Sequence, residues 1–189
     1  MHTPGLRVVA PAFAEDAKGL LVAAIRDPNP VMYFEHKHLY RYRREDVPEG
    51  EHVTEIGRAR IVREGSALSV ISYGWMLHKC LEAADAVAAG GIVAEVIDLR
   101  SLAPLDRDAI LGSVRKTGKV LIVHEATRTG GVDAEVAAFV AEEAFEALDG
   151  PVMRLASRDA PVPHSPILEK AFQPSVDEIA GAIRRLATY

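Results

Sequence analysis

The side chains with chemistry to offer gather near the start of the chain. Residues 26–46, RDPNPVMYFEHKHLYRYRRED, hold Asp27 and Asn29 between two prolines, then His36 and His38, then Lys37, Arg41, Arg43 and Arg44. Asp27 and Asn29 carry oxygen donors, and a helix ending at Ala24 to Arg26 would leave carbonyls without intrahelical donors. Carboxylate, amide and carbonyl oxygens together suit a hard cation. The same residues also stop a helix and start a strand, because Asp-Pro and Asn-Pro disfavour helical backbone. Spacing alone favours that turn. His36 and His38 are two apart and would share one face of a strand, but zinc needs a third and usually a fourth ligand, and none stands nearby at a motif spacing. The four basic residues read as a solvated face or a subunit contact.

Further along, TGGVDAE (129–135) places two glycines between a buried strand and a helix, where open α/β sheets bind ligands. Asp133 falls in the first turn of that helix and would occupy its positive end, so a tight strand-to-helix turn is the plainer reading. His124-Glu125 lacks the second histidine of a zincin and is read as the end of a strand. Ser66, Ser69 and Ser72 lack a nucleophile-elbow context. No G-x-G-x-x-G, Walker or thiamin-type G-D-G motif occurs.

These residues need elements to hold them. The 189 residues suffice for one good-sized domain or one domain plus an appendage, and 49% hydrophobic with 26% charged residues is ordinary globular composition. A net charge of −5 argues against nucleic-acid binding. No apolar run approaches the ~18 residues of a membrane span, and no signal-peptide pattern opens the chain. Cys80 is the single cysteine, which rules out an intrachain disulfide and fits a reducing, cytoplasmic setting.

A strand near 8–11, a helix over 14–26 and a strand over 31–36 make a βαβ unit with parallel strands. Ala17, Leu20, Leu21, Ala24 and Ile25 form the apolar stripe of its helix. Residues 37–66 are charged and glycine-dotted, a linker with short strands around 52–63. From 67 to 189 strands and helices alternate: strands at 67–74, 93–99, 119–125 and 152–157, and helices at 75–89, from Asp106 to Gly118, after Gly131 and after Ser175. Asp106 is the predicted N-cap of its helix, and Ser175 with Glu178 forms a capping box. The fold class is α/β, a mostly parallel sheet with helices on both faces, preceded by the βαβ unit.

HTPGLRVVAP, DAKGLLVAAIRDPNPVMYFEHKHLYR, VIDLRSLAPLD, VLIVHEATRTGG and RDAPVPHSPILEKAFQPSVDEI recur in this order across essentially the whole chain. They closely resemble the beta subunits of thiamin-diphosphate-dependent 2-oxoacid dehydrogenases, of pyruvate and branched-chain type. The resemblance implies that residues 1–36 are the tail of a pyrimidine-binding domain, 37–66 a linker and 67–189 a transketolase-like C-terminal domain. It implies no catalytic and no cofactor-binding residue in this chain, since the family's activating glutamate, stacking aromatic and substrate histidine would lie upstream of His2. His2 matches the histidine of the family's AH-x-PG segment, which is not the substrate histidine.

One site carries over by resemblance, a structural monovalent cation, usually potassium, held partly through Ala24, Asp27 and Asn29. The family commonly has a small residue where this chain has Asp133. Thiamin diphosphate and magnesium are expected only in the intact enzyme, with an alpha subunit, a second beta subunit and the dihydrolipoyl acyltransferase core as partners. The isolated chain is expected to be inactive in oxidative decarboxylation and to self-associate through apolar surface on its first 36 residues. The alternatives are a non-catalytic interaction module and a half-subunit that complements a separately encoded N-terminal half.

Overall fold

The computed structural model describes residues 1–189. The βαβ unit consists of β1 (Arg7–Val9), α1 (Ala14–Arg26) and β2 (Val31–Tyr33), with the two strands parallel. A short helix α2 (Leu39–Tyr42) and β3 (Arg60–Arg63) occupy the charged segment. Then follow β4 (Leu68–Ser72), α3 (Gly74–Ala88), β5 (Ala94–Asp98), β6 (Ser101–Ala103), α4 (Arg107–Thr117), β7 (Val120–Thr127) and α5 (Val132–Glu143). The chain closes with β8 (Met153–Ser157), α6 (Pro166–Phe172) and α7 (Val176–Ala187).

The main sheet runs β3-β5-β4-β7-β8, parallel except for the antiparallel edge strand β3. Its inner strands are apolar on both faces, as a sheet covered twice requires. On one side Leu68, Val70, Val96, Leu121 and Val123 pack with α3 and with Ile179, Ile183 and Leu186 of α7. On the other, Ile71, Ile97, Val120 and Ile122 pack with Ile110 and Val114 of α4 and Val136, Phe139 and Val140 of α5. The helix ends follow local chemistry. Asp106 accepts from the Ala109 amide and caps α4, while Gly118 ends it at φ +69°, the left-handed backbone that glycine adopts without penalty. Ser175 and Glu178 complete both arms of the capping box of α7.

Three elements depart from the sequence expectation, the first being the short helix α2 within the segment read as a linker. β6 pairs antiparallel with β1, so a second sheet, β2-β1-β6, joins the βαβ unit to the chain beyond residue 100. α6 forms with Pro166 in its first turn, where a missing amide hydrogen is tolerated.

The stripe read along α1 also turns out differently. Only Leu20 of those five residues is buried, and the inner face is Asp16, Gly19 and Leu20. Leu21 is 46% exposed and Ile25 77%, with Met32 at 45% and Phe34 at 53% on the adjoining strand segment. Tyr33 turns towards α1, donating its hydroxyl to the Ala17 carbonyl at 2.7 Å. Strand alternation therefore puts Met32 on the opposite face of β2. β2 has no neighbour on its outer side.

Candidate functional site

The end of α1 brings Ala24, Asp27 and Asn29 together. The Ala24 carbonyl has no intrahelical donor, because the residue four positions on is Pro28, which lacks an N–H. The turn itself is closed by Asp27: Oδ1 accepts from the Asn29 backbone amide at 2.8 Å and from Asn29 Nδ2 at 2.9 Å. Oδ2 pairs with Arg7 Nε at 2.9 Å. The Asn29 amide hydrogen bond, with the Asn29 side chain and the Arg7 charge, holds the Asp27 carboxyl below its usual range. Both carboxylate oxygens are thus engaged by donors, and a cation at this turn has to compete with a guanidinium. No group of three or more His, Cys, Asp and Glu side chains is placed to hold a metal ion anywhere in the chain.

A second constellation lies at the carboxyl ends of β4 and β7. These neighbouring strands send their connections to opposite faces, through α3 and α5, and open α/β sheets place ligands at such a switch point. His36, just beyond β2, meets Glu125 there, with Nε2 at 3.1 and 3.2 Å from the two carboxylate oxygens. His38 stacks edge-on to Trp75 with ring centroids 4.4 Å apart, and Tyr42 does the same from another side. The two histidines therefore do not share a strand face. β2 stops at Tyr33, and they make different contacts, His36 with the Glu125 carboxylate and His38 with the Trp75 ring.

His78 completes this cluster from within α3. Its Nε2 donates to the Ala12 carbonyl at 2.8 Å, which fixes the tautomer, and burial pushes its pKa down. Arg43, an exposed member of the basic group, lies 3.4 Å from its Nδ1 and also pairs with Glu45. A hollow of about 510 Å³ lies beside these residues, floored by Ala12, Phe13 and Leu39. The Glu45 carboxylate reaches across to accept from the Ala14 amide at the start of α1.

His124 and Asp133 form the third group, and both are buried. His124 Nε2 lies 3.1 Å from Asp133 Oδ1, and Arg154 approaches the other oxygen at 3.6 Å. Tyr73 stays a phenol, its pKa raised by burial, and its hydroxyl lies 3.4 Å from His124 Nδ1. Burial lowers the pKa of His124 against the pull of Asp133, so its neutral form is favoured. Asp133 sits in the first turn of α5, with its carboxylate turned to His124. Gly131 is required here because a Cβ would overlap His124 and Asp133. Ser69 joins Ser113, Thr117 and Glu95 in a buried network, which Lys116 meets from the surface.

Residues 57–179 match the family model described as transketolase, C-terminal domain. The chain belongs to the transketolase C-terminal domain family. It is 46% identical over 189 residues to the 2-oxoisovalerate dehydrogenase subunit beta of Bacillus subtilis, covering 100% of this chain and 58% of that protein. The acetoin:2,6-dichlorophenolindophenol oxidoreductase subunit beta of Cupriavidus necator is 46% identical over 97% of this chain and 54% of its own length. The Bacillus subtilis pyruvate dehydrogenase E1 component subunit beta is 44% identical over 98% of this chain and 57% of its own length. The chain thus spans little more than half the length of these relatives and matches their C-terminal part. Among solved structures, a split gene transketolase described as an inactive beta4 tetramer superposes at TM-score 0.80 with 26% identity, covering 99% of this chain and 59% of the other. A Pichia stipitis transketolase at TM-score 0.66 and 12% identity shares the fold.

The βαβ unit, the doubly covered sheet and the transketolase-like fold anticipated from the motifs are thus all present. Of the three residues singled out for a cation, Asp27 and Asn29 bond to each other at the end of α1, and Ala24 lies in its last turn. Sequence reasoning missed the partners Arg7 and Glu125, which lie 20 and 89 positions from Asp27 and His36 and leave no local signal.

Proposed function

We propose that the chain is the C-terminal region of a 2-oxoacid dehydrogenase beta subunit and serves subunit association rather than chemistry. The observation that carries this is the identity of 44–46% to such beta subunits and a related oxidoreductase beta subunit, over 97–100% of the chain. In this reading an alpha subunit, a second beta subunit and the acyltransferase core are the partners, in a heterotetramer in the cytoplasm. The three relatives are named for 2-oxoisovalerate, acetoin and pyruvate chemistry, yet this region is similarly close to all of them. That supports a substrate choice made outside it.

Thiamin diphosphate in the whole enzyme supplies the electron sink for decarboxylation. The residues present do not fit it on their own. The glycine turn at 130–131, which could cradle a diphosphate, leads directly to the buried Asp133 carboxylate. Magnesium likewise finds no acidic cluster here. Potassium at Ala24, Asp27 and Asn29 requires Arg7 to release Asp27, so we assign that occupancy to the assembled subunit, where further ligands join.

A second reading has its own support. The split gene transketolase is described as a beta4 tetramer and as inactive, and the apolar surface around α1 and β2 suits pairing with other chains. Under it the chain is a half-subunit or interaction module. Sedimentation of the chain, alone and after co-expression with an alpha subunit and the N-terminal region of a beta subunit, tests both. The first reading expects a mixed complex that displaces self-association. Failure to form any mixed complex, with the chain monomeric throughout, overturns it.

A further inference from the structure

The seam between α1 and the main sheet holds a cluster of buried charges that no binding role accounts for. Asp16 of α1 and Asp98 at the end of β5 are both buried. Arg100, in left-handed backbone at φ +54°, turns its side chain back into the seam. Its Nη1 donates to Asp16 Oδ1 at 2.9 Å, its Nε to the Arg58 carbonyl at 3.0 Å and its Nη2 to the Ala59 carbonyl at 3.2 Å. Arg60 of β3 pairs with Glu15 and stands 3.5 Å from Asp16 Oδ2. Thr54 donates to Asp16 at 3.3 Å, with His52 behind it. One guanidinium thus fastens three separate segments: α1, the stretch 58–60 and the turn after β5.

Asp98 is the odd member. Its Oδ1 accepts from the Arg100 amide at 3.0 Å, whereas its Oδ2 is buried without any hydrogen-bond partner. The charged groups that bear on it are Asp16 from α1, Arg60 from β3 and Arg100 from the turn, while Ser72 is its neighbour across β4.

We propose that this cluster is a proton-operated latch, closed while Asp98 is neutral, that sets how firmly α1 is held against the main sheet. Ionised Asp98 places a second buried carboxylate beside Asp16 and competes with it for Arg100 and Arg60, the ties that hold α1. Burial chiefly, with the Asp16 charge adding, raises the Asp98 carboxyl to about 8, against the opposing pull of Arg100 and Arg60. A carboxyl raised in the closed state binds a proton there that the opened state does not. Closure is therefore strongest in acid, weakens progressively as pH rises from the ordinary carboxylate range and stops changing above about 8. The consequence concerns assembly, because α1 and β2 carry the apolar surface offered to partners.

Amide hydrogen exchange of the full chain between pH 5.5 and 9, corrected for intrinsic rates, tests this, with Asp98→Asn as the variant. The α1 amides should be less protected than those of β4, and their protection should fall up to about tenfold per pH unit before levelling near 8. Asp98→Asn, which keeps the shape of the neutral acid, should abolish that slope. Protection of α1 independent of pH, a slope that survives in Asp98→Asn, or α1 opening only together with β4 each overturns the latch. Should Asp98→Asn not fold, carboxyl carbon NMR of the unmodified chain decides the matter. A midpoint near 8 supports the latch and one below about 5, the ordinary carboxylate range, overturns it.

Discussion

Replacing Asp106 with alanine removes two backbone hydrogen bonds at once. Oδ1 accepts from Ala109 at 3.1 Å as the N-cap of α4, and Oδ2 accepts from Ala59 at 3.0 Å, tying the segment before β3 to that helix. Losing the cap costs about 1 kcal/mol. Leaving the partly buried Ala59 amide unpaired adds about 1–3 kcal/mol. The total, about 2–4 kcal/mol, corresponds to a fall in melting temperature of roughly 5–15 °C for a chain this long. Asp106→Asn keeps an acceptor for the cap and loses only the Ala59 bond, so it should show about half to three-quarters of the loss seen with alanine. Equilibrium urea unfolding followed by far-ultraviolet circular dichroism measures both. An Asp106→Ala change below about 0.5 kcal/mol, the range of an unremarkable surface substitution, refutes the two-bond account. So does an Asp106→Asn variant as unstable as the alanine one.

Three other outcomes follow from particular contacts. Ile25→Glu with Met32→Glu charges the exposed surface flanking β2 and should shift sedimentation of the isolated chain towards monomer with little change in stability. Gly131→Ala drives a Cβ into His124 and Asp133 and should destabilise by about 1–3 kcal/mol or more in a urea titration. Potassium chloride and sodium chloride at equal concentration should give the isolated chain the same melting temperature, because Arg7 and Asn29 already satisfy Asp27.

Much of the architecture was legible because its signals are local. The run at 120–123 is apolar on both faces and that at 68–72 is apolar apart from Ser69 and Ser72, the caps at Asp106 and Ser175 sit at fixed offsets, and Gly118 ends a helix in the way glycine permits. What escaped is short or depends on distant chain. β6 has three residues and exists through its pairing with β1, after a turn that puts Arg100 in left-handed backbone. The stripe on α1 was read as one apolar face, but Leu21 and Ile25 meet solvent while Asp16 goes inward to Arg100. A buried carboxylate whose partner lies 84 positions away leaves no periodic signature. The oxygen donors at Ala24, Asp27 and Asn29 could be found from the helix stop. The Arg7 that claims Asp27 could not.

The central claim is that this region contributes association and not chemistry. The most direct test is an assay of 2-oxoacid decarboxylation by the purified chain alone, supplied with thiamin diphosphate and magnesium and offered pyruvate or 2-oxoisovalerate. The account predicts no turnover above the protein-free control. Robust turnover by this chain without any partner would contradict it.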